Sequence, residues 1–449
     1  YVIMSLYKII IILLMQPNNE TDIEAKYLPF IWTIDFYWED QNYYTFLKKV
    51  YRHELRKNWF KRITIPFIEN LKHLENIFWD KINKYVKFEK FDWMICPNIE
   101  IWVMRAYLNM ENKDDVKPLY FYNIWREFLL DNWYEESYNI SWQIIWEDDP
   151  ILDALMIYIN YNCLKSIWLK DVFEIHINST WVEKEKVKYS EELINFYSDK
   201  KHLLSENSLK LLEENPFKLL DSKEEDEMIL ADEAPKMTKF LRKDSKKHYA
   251  KFKEYLELLN IDYIEDHKLF WEDFYQTNSI WNFQNKETKD IFISWYRYNW
   301  LSEIMWAEKN IWATWFWANV VKIISLLKDN NIKIKNKDEI DLYFVQLWDE
   351  AKKVVLWLSI KAREAWINTT LSLWTPSIKD QMLKATRIQA RFIVMVWVME
   401  ARNWIFQVRK TCDWTQEEVK KDDLIHYIKS NISEDRLDFY CPAKDLITS

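Results

Sequence analysis

The chain contains no glycine. Glycine is the residue that reaches φ > 0 without a steric penalty, so tight turns and helix ends ordinarily depend on it. Ordinary usage of roughly 7% would give about 31 glycines in a chain of this length. Instead there are 27 tryptophans, and they fall on turn signals. Asn403-Trp404 and Asp413-Trp414 separate strand-like runs, where Asn-Gly and Asp-Gly make type I′ hairpin turns. Asn58-Trp59 and Ala365-Trp366 close helix-like segments, the slot of a helix-ending glycine. Because a residue with a Cβ takes the left-handed region only at a cost, nearly every tryptophan is expected to stand for glycine. A codon such as UGA, read as glycine in some bacterial lineages, would give this sequence if translated as Trp. Enrichment in Ile, Lys, Asn and Tyr, residues with AT-rich codons, suits such a genome. Trp281, in an apolar strand-like run, is the expected genuine tryptophan.

With 449 residues, the length prior gives about two to four domains. Apolar residues make up 49%, ample for packed cores. The net charge of −9 excludes a global basic field, so any nucleic acid must meet local basic patches. Cys96, Cys163, Cys412 and Cys441 lie far apart and read as reduced thiols of a cytosol. The seven histidines form no HxxxH or HxH pair, so no structural metal is expected. Residues 2–15 are an apolar run interrupted by Lys8, too short for a membrane span of about 20 residues. With Tyr at position 1, the true start is expected at Met15 or Met4.

Helix-like and strand-like runs then alternate along the chain. Residues 28–80 hold IWTIDFYWED, a helix over 41–57 and a strand, FKRITIPFIEN, containing Pro66. Residues 86–110 include FDWMICPNIEIWVMRAYLNM, with Asn98 and with Glu100 expected on a strand. Residues 118–157 read as strand, turn, strand and helix. Arg126 and Glu127 are in the first strand, Glu135 and Glu136 in the loop, and Gln143 in the second strand. His176-Ile177-Asn178-Ser179 lies in a strand-like run, where a histidine is ordinarily a satisfied core residue. Residues 183–262 are charged and helical, with an acidic run at 224–227 that would repel phosphates. WEDFYQTNSIWN (271–282) carries Tyr275, WYRYNWL (295–301) carries Arg297 and Tyr298, and WFWANVVK (315–322) ends on Lys322. Residues 338–435 alternate strand and helix, ending in a hairpin strand, IFQVRKTCD, and a last helix. Lys379, Lys384, Arg387 and Arg391 lie on or beside one of its helices.

In this order and with these gaps, residues 28–435 resemble the histidyl-tRNA synthetases, a class II family. The 28–80 stretch looks like motif 1, with Pro66 as its proline, and 118–157 looks like motif 2. With glycine for tryptophan, WYRYNWL resembles the family's G-G-R-Y-D-G-L, and WFWANVVK resembles motif 3, G-F-x-x-G-x-E-R. The resemblance implies an α+β fold. A class II antiparallel sheet with flanking helices (28–182 and 263–330) would be interrupted by a helical insertion (183–262), whose family role is a contact to the tRNA acceptor stem. An α/β anticodon-binding domain (338–435) would follow, with a leader (1–27) and a tail (436–449) at the ends. It implies a cytoplasmic homodimer, with Pro66 at the interface and no membrane. ATP with Mg²⁺ as a substrate complex, histidine and tRNA are the implied ligands.

By the same resemblance, Arg126 (shifted by one residue), Glu127 and Lys322 would bind ATP, with Arg126 and Lys322 catalytic. Asn98, Glu100, Gln143, Tyr275, Arg297 and Tyr298 would surround the amino acid, with Tyr298 closing its pocket and Arg297 pairing an acidic group. Lys379, Lys384, Arg387 and Arg391 would meet tRNA phosphates. The chain departs from the family pattern at several of these positions. Asn98 replaces a glutamate, Glu100 a threonine, Trp271 an arginine, and Lys322 an arginine whose planar fork lysine lacks. Two functions therefore follow. One is a histidine–tRNA ligase. The other is a catalytically silent paralogue that binds tRNA or regulates a partner, as the synthetase-like subunit of ATP phosphoribosyltransferase does.

Overall fold

The computed structural model describes residues 35–70, 87–88, 92–95, 99–110, 117–131, 133–180, 183–270, 276–305, 307–334, 340–372 and 377–432. They belong to two compact units divided between Ile334 and Lys335.

The first unit opens with α1 (Trp38–Lys57). Glu39 and Asp40 sit in its first turn and Arg56 and Lys57 in its last, the charge order that suits the helix dipole. Tyr43, Leu47, Tyr51 and Leu55, at helical spacing, form its buried stripe. The strand expected over 60–70 is split. β1 (Lys61–Arg62) joins the large sheet, and β2 (Ile68–Asn70) joins a small one with β3 (Lys87–Phe88) and β4 (Trp93–Ile95). Pro66 lies at the break, where a residue without an N–H leaves the ladder. α2 (Ile99–Leu108) corrects a second expectation, because Glu100 lies on this helix and not on a strand. Residues 99 to 104 of α2 are all buried, and a helix buried on every side shows no 3.6-residue alternation of polarity.

β5 (Leu119–Asp131) and β6 (Trp133–Ile145) pair antiparallel from end to end, so Glu135 and Glu136 belong to β6 and not to a loop. α3 (Ile151–Ser166) and β7 (Phe173–Ser179) follow. The charged stretch then forms α4 (Glu183–Ser198), α5 (Glu206–Glu214), α6 (Glu225–Glu233) and α7 (Lys243–Leu258). The first three of these have their own core of Tyr189, Leu193, Tyr197, Leu212 and Leu230. β8 (Ile264–Glu265), β9 (Gln276–Asn285), β10 (Ile291–Tyr298), α8 (Leu301–Ile304), β11 (Ala313–Asn319) and α9 (Val320–Asp329) complete the unit.

The large sheet runs β1-β5-β6-β11-β10-β9-β7-β8. It is antiparallel except at its edges, where β1 lies parallel to β5 and β8 to β7. Along each strand alternate residues face opposite sides. Tyr122, Trp142, Phe316, Trp295 and Trp281 form one row across five strands. On that face the sheet packs against α1, α3, α7 and α9. The other face meets α2 and α8.

The second unit contains β12 (Leu342–Gln346), α10 (Asp349–Glu364), β13 (Thr369–Leu371), α11 (Ile378–Arg387), β14 (Phe392–Val396), α12 (Val398–Asn403), β15 (Ile405–Lys410), β16 (Gln416–Lys420) and α13 (Lys421–Ser430). Its sheet runs β13-β12-β14-β15-β16. The short helix α12 and the strand β16 go beyond the sequence reading. Asn403-Trp404 is therefore not a hairpin turn. Trp404 ends α12 in the left-handed conformation at φ 56. Asp413-Trp414 does connect two antiparallel strands, β15 and β16. The chain as a whole is α+β, a large mixed sheet with flanking helices followed by a second sheet unit.

Among the described residues, positive φ occurs at Trp59, Trp146, Trp168, Trp348, Trp366, Trp404 and Trp414. Otherwise it occurs only at Asp92, Asn260, Asn278, Lys289, Asn331 and Gln389. Trp59 is 82% exposed and Trp168 72%, so burial of their indoles does little to offset the strain. Trp281 differs from these: it is fully buried in β9 and stacks on Trp295 with ring centroids 5.4 Å apart.

Candidate functional site

Register sets polar residues side by side on the face that meets α2. One row across six strands is Asn123, Ser141, Trp317, Ser294, Asn282 and His176. The next is Phe121, Gln143, Trp315, Tyr296, Ile280 and Asn178. Asn123, Ser141, Gln143, Ser294 and Asn282 are all buried. Gln143 Nε2, Ser294 Oγ and Asn282 Oδ1 have no hydrogen-bond partner there. Buried polar atoms left unpaired cost free energy, so a cluster of them marks a place for a ligand or ordered water.

The densest part of this face lies between β6, β10 and α2. The Tyr296 hydroxyl donates to Glu100 Oε1 at 2.8 Å, and the Tyr298 hydroxyl donates to Gln143 Oε1 at 2.7 Å. Both tyrosines, Glu100 and Gln143 are buried. Burial, with the Glu100 charge nearby, pushes the Tyr298 hydroxyl well above its ordinary value, so it stays protonated and keeps donating. The result is a buried polar cluster with one carboxylate, one carboxamide whose N–H₂ is unpaired, and two fixed phenols. Trp315 stands between Gln143 and Tyr296, with its ring 5.0 Å from that of Tyr296.

Arg297 lies between the two tyrosines in sequence, and therefore on the opposite face. There its Nε donates to Asp153 Oδ1 at 2.7 Å, and a second guanidinium nitrogen lies 2.7 Å from the same oxygen. The Asp149 carbonyl and the Asp148 carboxylate take further N–H groups. Arg297 and Asp153 are both fully buried. Its expected place beside the amino acid is thus corrected: the guanidinium is used up on the opposite face.

His248 of α7 closes this cluster, with Nδ1 3.3 Å from Ser279 Oγ and Nε2 3.9 Å from Asp153 Oδ2. Burial first, and then the Arg297 charge, lower its pKa from 6.5 to about 4. The unfolded chain binds this proton more readily than the folded one. Stability therefore falls as pH drops from 6.5 toward about 4, by roughly 3 kcal/mol. Urea midpoints measured across that range check this, and His248→Gln should flatten the fall.

At the other end of the strands the register corrects Arg126. It pairs with Tyr138, and its guanidinium lies 4.7 Å from the Tyr138 ring centre, on the α1 side of the sheet. A one-residue shift on a strand changes the face, so Arg126 points away from the face that carries Asn123 and Gln143. Glu127 is on that face, where its Oε2 accepts from Asn139 Nδ2 at 3.0 Å. Lys322 is in the first turn of α9, which Asn319 caps, and its exposed ammonium donates to the Ile291 carbonyl at 2.7 Å.

No family model matches the chain. A histidine–tRNA ligase of Halothermothrix orenii is 28% identical over 329 residues, covering 72% of this chain and 78% of that protein. One of Lactobacillus gasseri is 24% identical over 396 residues, 82% of this chain and 91% of that protein. The apo histidyl-tRNA synthetase of S. aureus matches with a TM-score of 0.73 at 21% identity, over 90% of this chain and 99% of that one. The fold is that of a histidyl-tRNA synthetase. A Bacillus halodurans protein described as an ATP phosphoribosyltransferase regulatory subunit/histidyl-tRNA synthetase is also similar, with a TM-score of 0.60 at 14% identity, over 82% of this chain and 99% of that one.

Within this synthetase fold, Asn98 and Tyr275 lie outside the described residues, as does Trp271. Pro66 lies between β1 and β2. Lys379, Lys384 and Arg387 are exposed on α11, and Arg391 is exposed just beyond it. Two features escaped the sequence reading. One is the Arg297–Asp153–His248 cluster, whose members are distant in sequence and carry no spacing signal. The other is a run of exposed cations, Lys236, Lys239, Arg242, Lys243, Lys246 and Lys247. Their density was visible in PKMTKFLRKDSKK but was overshadowed by the acidic run just before it. No described helix is long and apolar enough to cross a membrane, and no described cluster of His, Cys, Asp and Glu suits a metal.

Proposed function

We propose that this chain is a cytoplasmic histidine–tRNA ligase that activates histidine with ATP and Mg²⁺ and transfers it to tRNA. The observation that carries this reading is the buried polar cluster of Glu100, Gln143, Tyr296 and Tyr298 on the synthetase sheet. A carboxylate, an unpaired amide N–H₂ and phenol oxygens suit the cationic ammonium and the ring nitrogens of histidine. Reading Trp315 and Trp317 as glycine opens the slot between Gln143 and Tyr296 to an imidazole. Glu127 and Lys322 would mark the ATP end. Lys322, with the Mg²⁺ that arrives on the nucleotide, would meet phosphate charge there. Pro66 would lie at a homodimer interface, and tRNA would meet Lys379, Lys384, Arg387 and Arg391.

The same reading assigns glycine, in the living cell, to nearly every tryptophan position, with Trp281 as the expected genuine tryptophan. Its support is that seven of these tryptophans occupy left-handed backbone, where glycine alone is free of penalty. Peptide mass spectrometry of protein from its own source reads this directly, and indole masses at 59 and 404 would refute it.

A second reading, the silent paralogue, is favoured by the absence of any guanidinium among the described residues of the two site-face rows. Aminoacylation decides between the two. Transfer of labelled histidine to a tRNA with a histidine anticodon is expected. Tight tRNA binding with no transfer would leave the paralogue.

A further inference from the structure

The helical insertion reaches the Glu100–Gln143 cluster through the part-buried His248 and the buried Ser279, Asp153 and Arg297. We propose that this path couples two ligands: RNA phosphates on the exposed cations of α7 tighten histidine binding through His248. The inference rests on the proposed function and adds a positioning role to it.

α7 has two faces. Lys243, Lys246 and Lys247 are exposed, with Lys236, Lys239 and Arg242 just before them, while Ser245, Tyr249, Phe252 and Leu256 are buried. A phosphate-bearing strand would pair with the first face, and the second transmits any shift to the sheet. His248 lies on that inner side. Its Nδ1 touches Ser279, beside Asn278 at φ 58, where the β9–β10 register slips between Tyr296 and Arg297. A bulge of this kind re-aims neighbouring side chains. The Asn278 carbonyl is held from the other side by the Thr180 hydroxyl at 3.0 Å.

On its other edge, His248 Nε2 is 3.9 Å from Asp153 Oδ2, beyond hydrogen-bond reach by about 1 Å. A shift of α7 by that amount closes the bond. Asp153 holds Arg297 at 2.7 Å, and Arg297 sits in β10 between the two tyrosines that fix Glu100 and Gln143. Asp148, Asp149 and Arg297 are the other charges facing the ring. With the 3.9 Å arrangement as the open state, a closed His248–Asp153 contact would complete a two-state element that both ligands could bias.

Histidine titrations of the full chain by calorimetry, with and without deacylated tRNA bearing a histidine anticodon, test the coupling. We expect tRNA to tighten histidine binding by about 5-fold, and histidine to tighten tRNA binding by the same factor. His248→Leu should bring the ratio toward one while both ligands still bind. His248→Gln, which keeps a hydrogen-bonding edge, should retain part of the coupling and guards against a folding defect in the leucine variant. A ratio of one in the unaltered chain, or an unchanged ratio in His248→Leu, overturns the inference and leaves the ligase reading intact. Failure of histidine to bind at all overturns both.

Discussion

Glycine at positions 59, 146, 168, 348, 366, 404 and 414 is expected to stabilise the chain. Glycine at position 281 is expected to damage it. The seven tryptophans sit at φ between 56 and 77, where a residue with a Cβ loses roughly 1–2 kcal/mol. Glycine returns part of that gain through its freer unfolded state, roughly 0.5–1 kcal/mol. At the five exposed sites, 59, 168, 348, 366 and 414, the net is about 0.5–1 kcal/mol each, while at 146 and 404 the indoles' contacts offset the strain, so the set gains on the order of 3 kcal/mol. Trp281 is fully buried between Phe283, Trp295 and Phe316, and deleting it should cost about 3–5 kcal/mol or more. Denaturant midpoints for the seven-site variant and for Trp281→Gly should therefore move in opposite directions. If both fell, the seven indoles would be making contacts that outweigh their backbone strain.

Removing the Arg297 guanidinium should be the most damaging single change behind the Glu100–Gln143 cluster. Arg297→Met strands the fully buried Asp153 carboxylate without its counter-charge, and breaking such a pair costs about 3–5 kcal/mol. Adding Asp153→Asn to the same chain should recover part of the loss, because the buried charge is gone. Additive losses in the double variant would mean that the two side chains act independently, contrary to their 2.7 Å contacts.

Sequence patterns were a good guide wherever a fold-level signal was local. Most of the helix–strand order could be read from hydrophobic period and punctuation, with α2, α12 and β16 as exceptions, and Trp59, Trp366 and Trp414 lie at the left-handed turns their neighbours announced. Errors arose where burial erased the alternation, as in α2, or where one residue of register decides a face. Arg126 is the instructive case. Motif matching tolerates a shift of one position, but a β-strand turns that shift into the other side of the sheet. Arg297 does pair an acidic group, Asp153, but away from the amino acid's expected place, because its neighbours Tyr296 and Tyr298 face the Glu100–Gln143 cluster and an odd step does not. The cluster residues Glu100, Gln143 and Tyr298 were nameable from the family resemblance. That the tyrosines at 296 and 298 would fix Glu100 and Gln143 needed the pairing of β10 with β11 and β6.

Histidine-dependent exchange of pyrophosphate into ATP, on folded protein carrying glycine at the proposed positions, tests the central claim most directly. Exchange well above background with histidine, and not with other amino acids, is the predicted result. No exchange with any amino acid, from protein that still binds tRNA, would contradict the account.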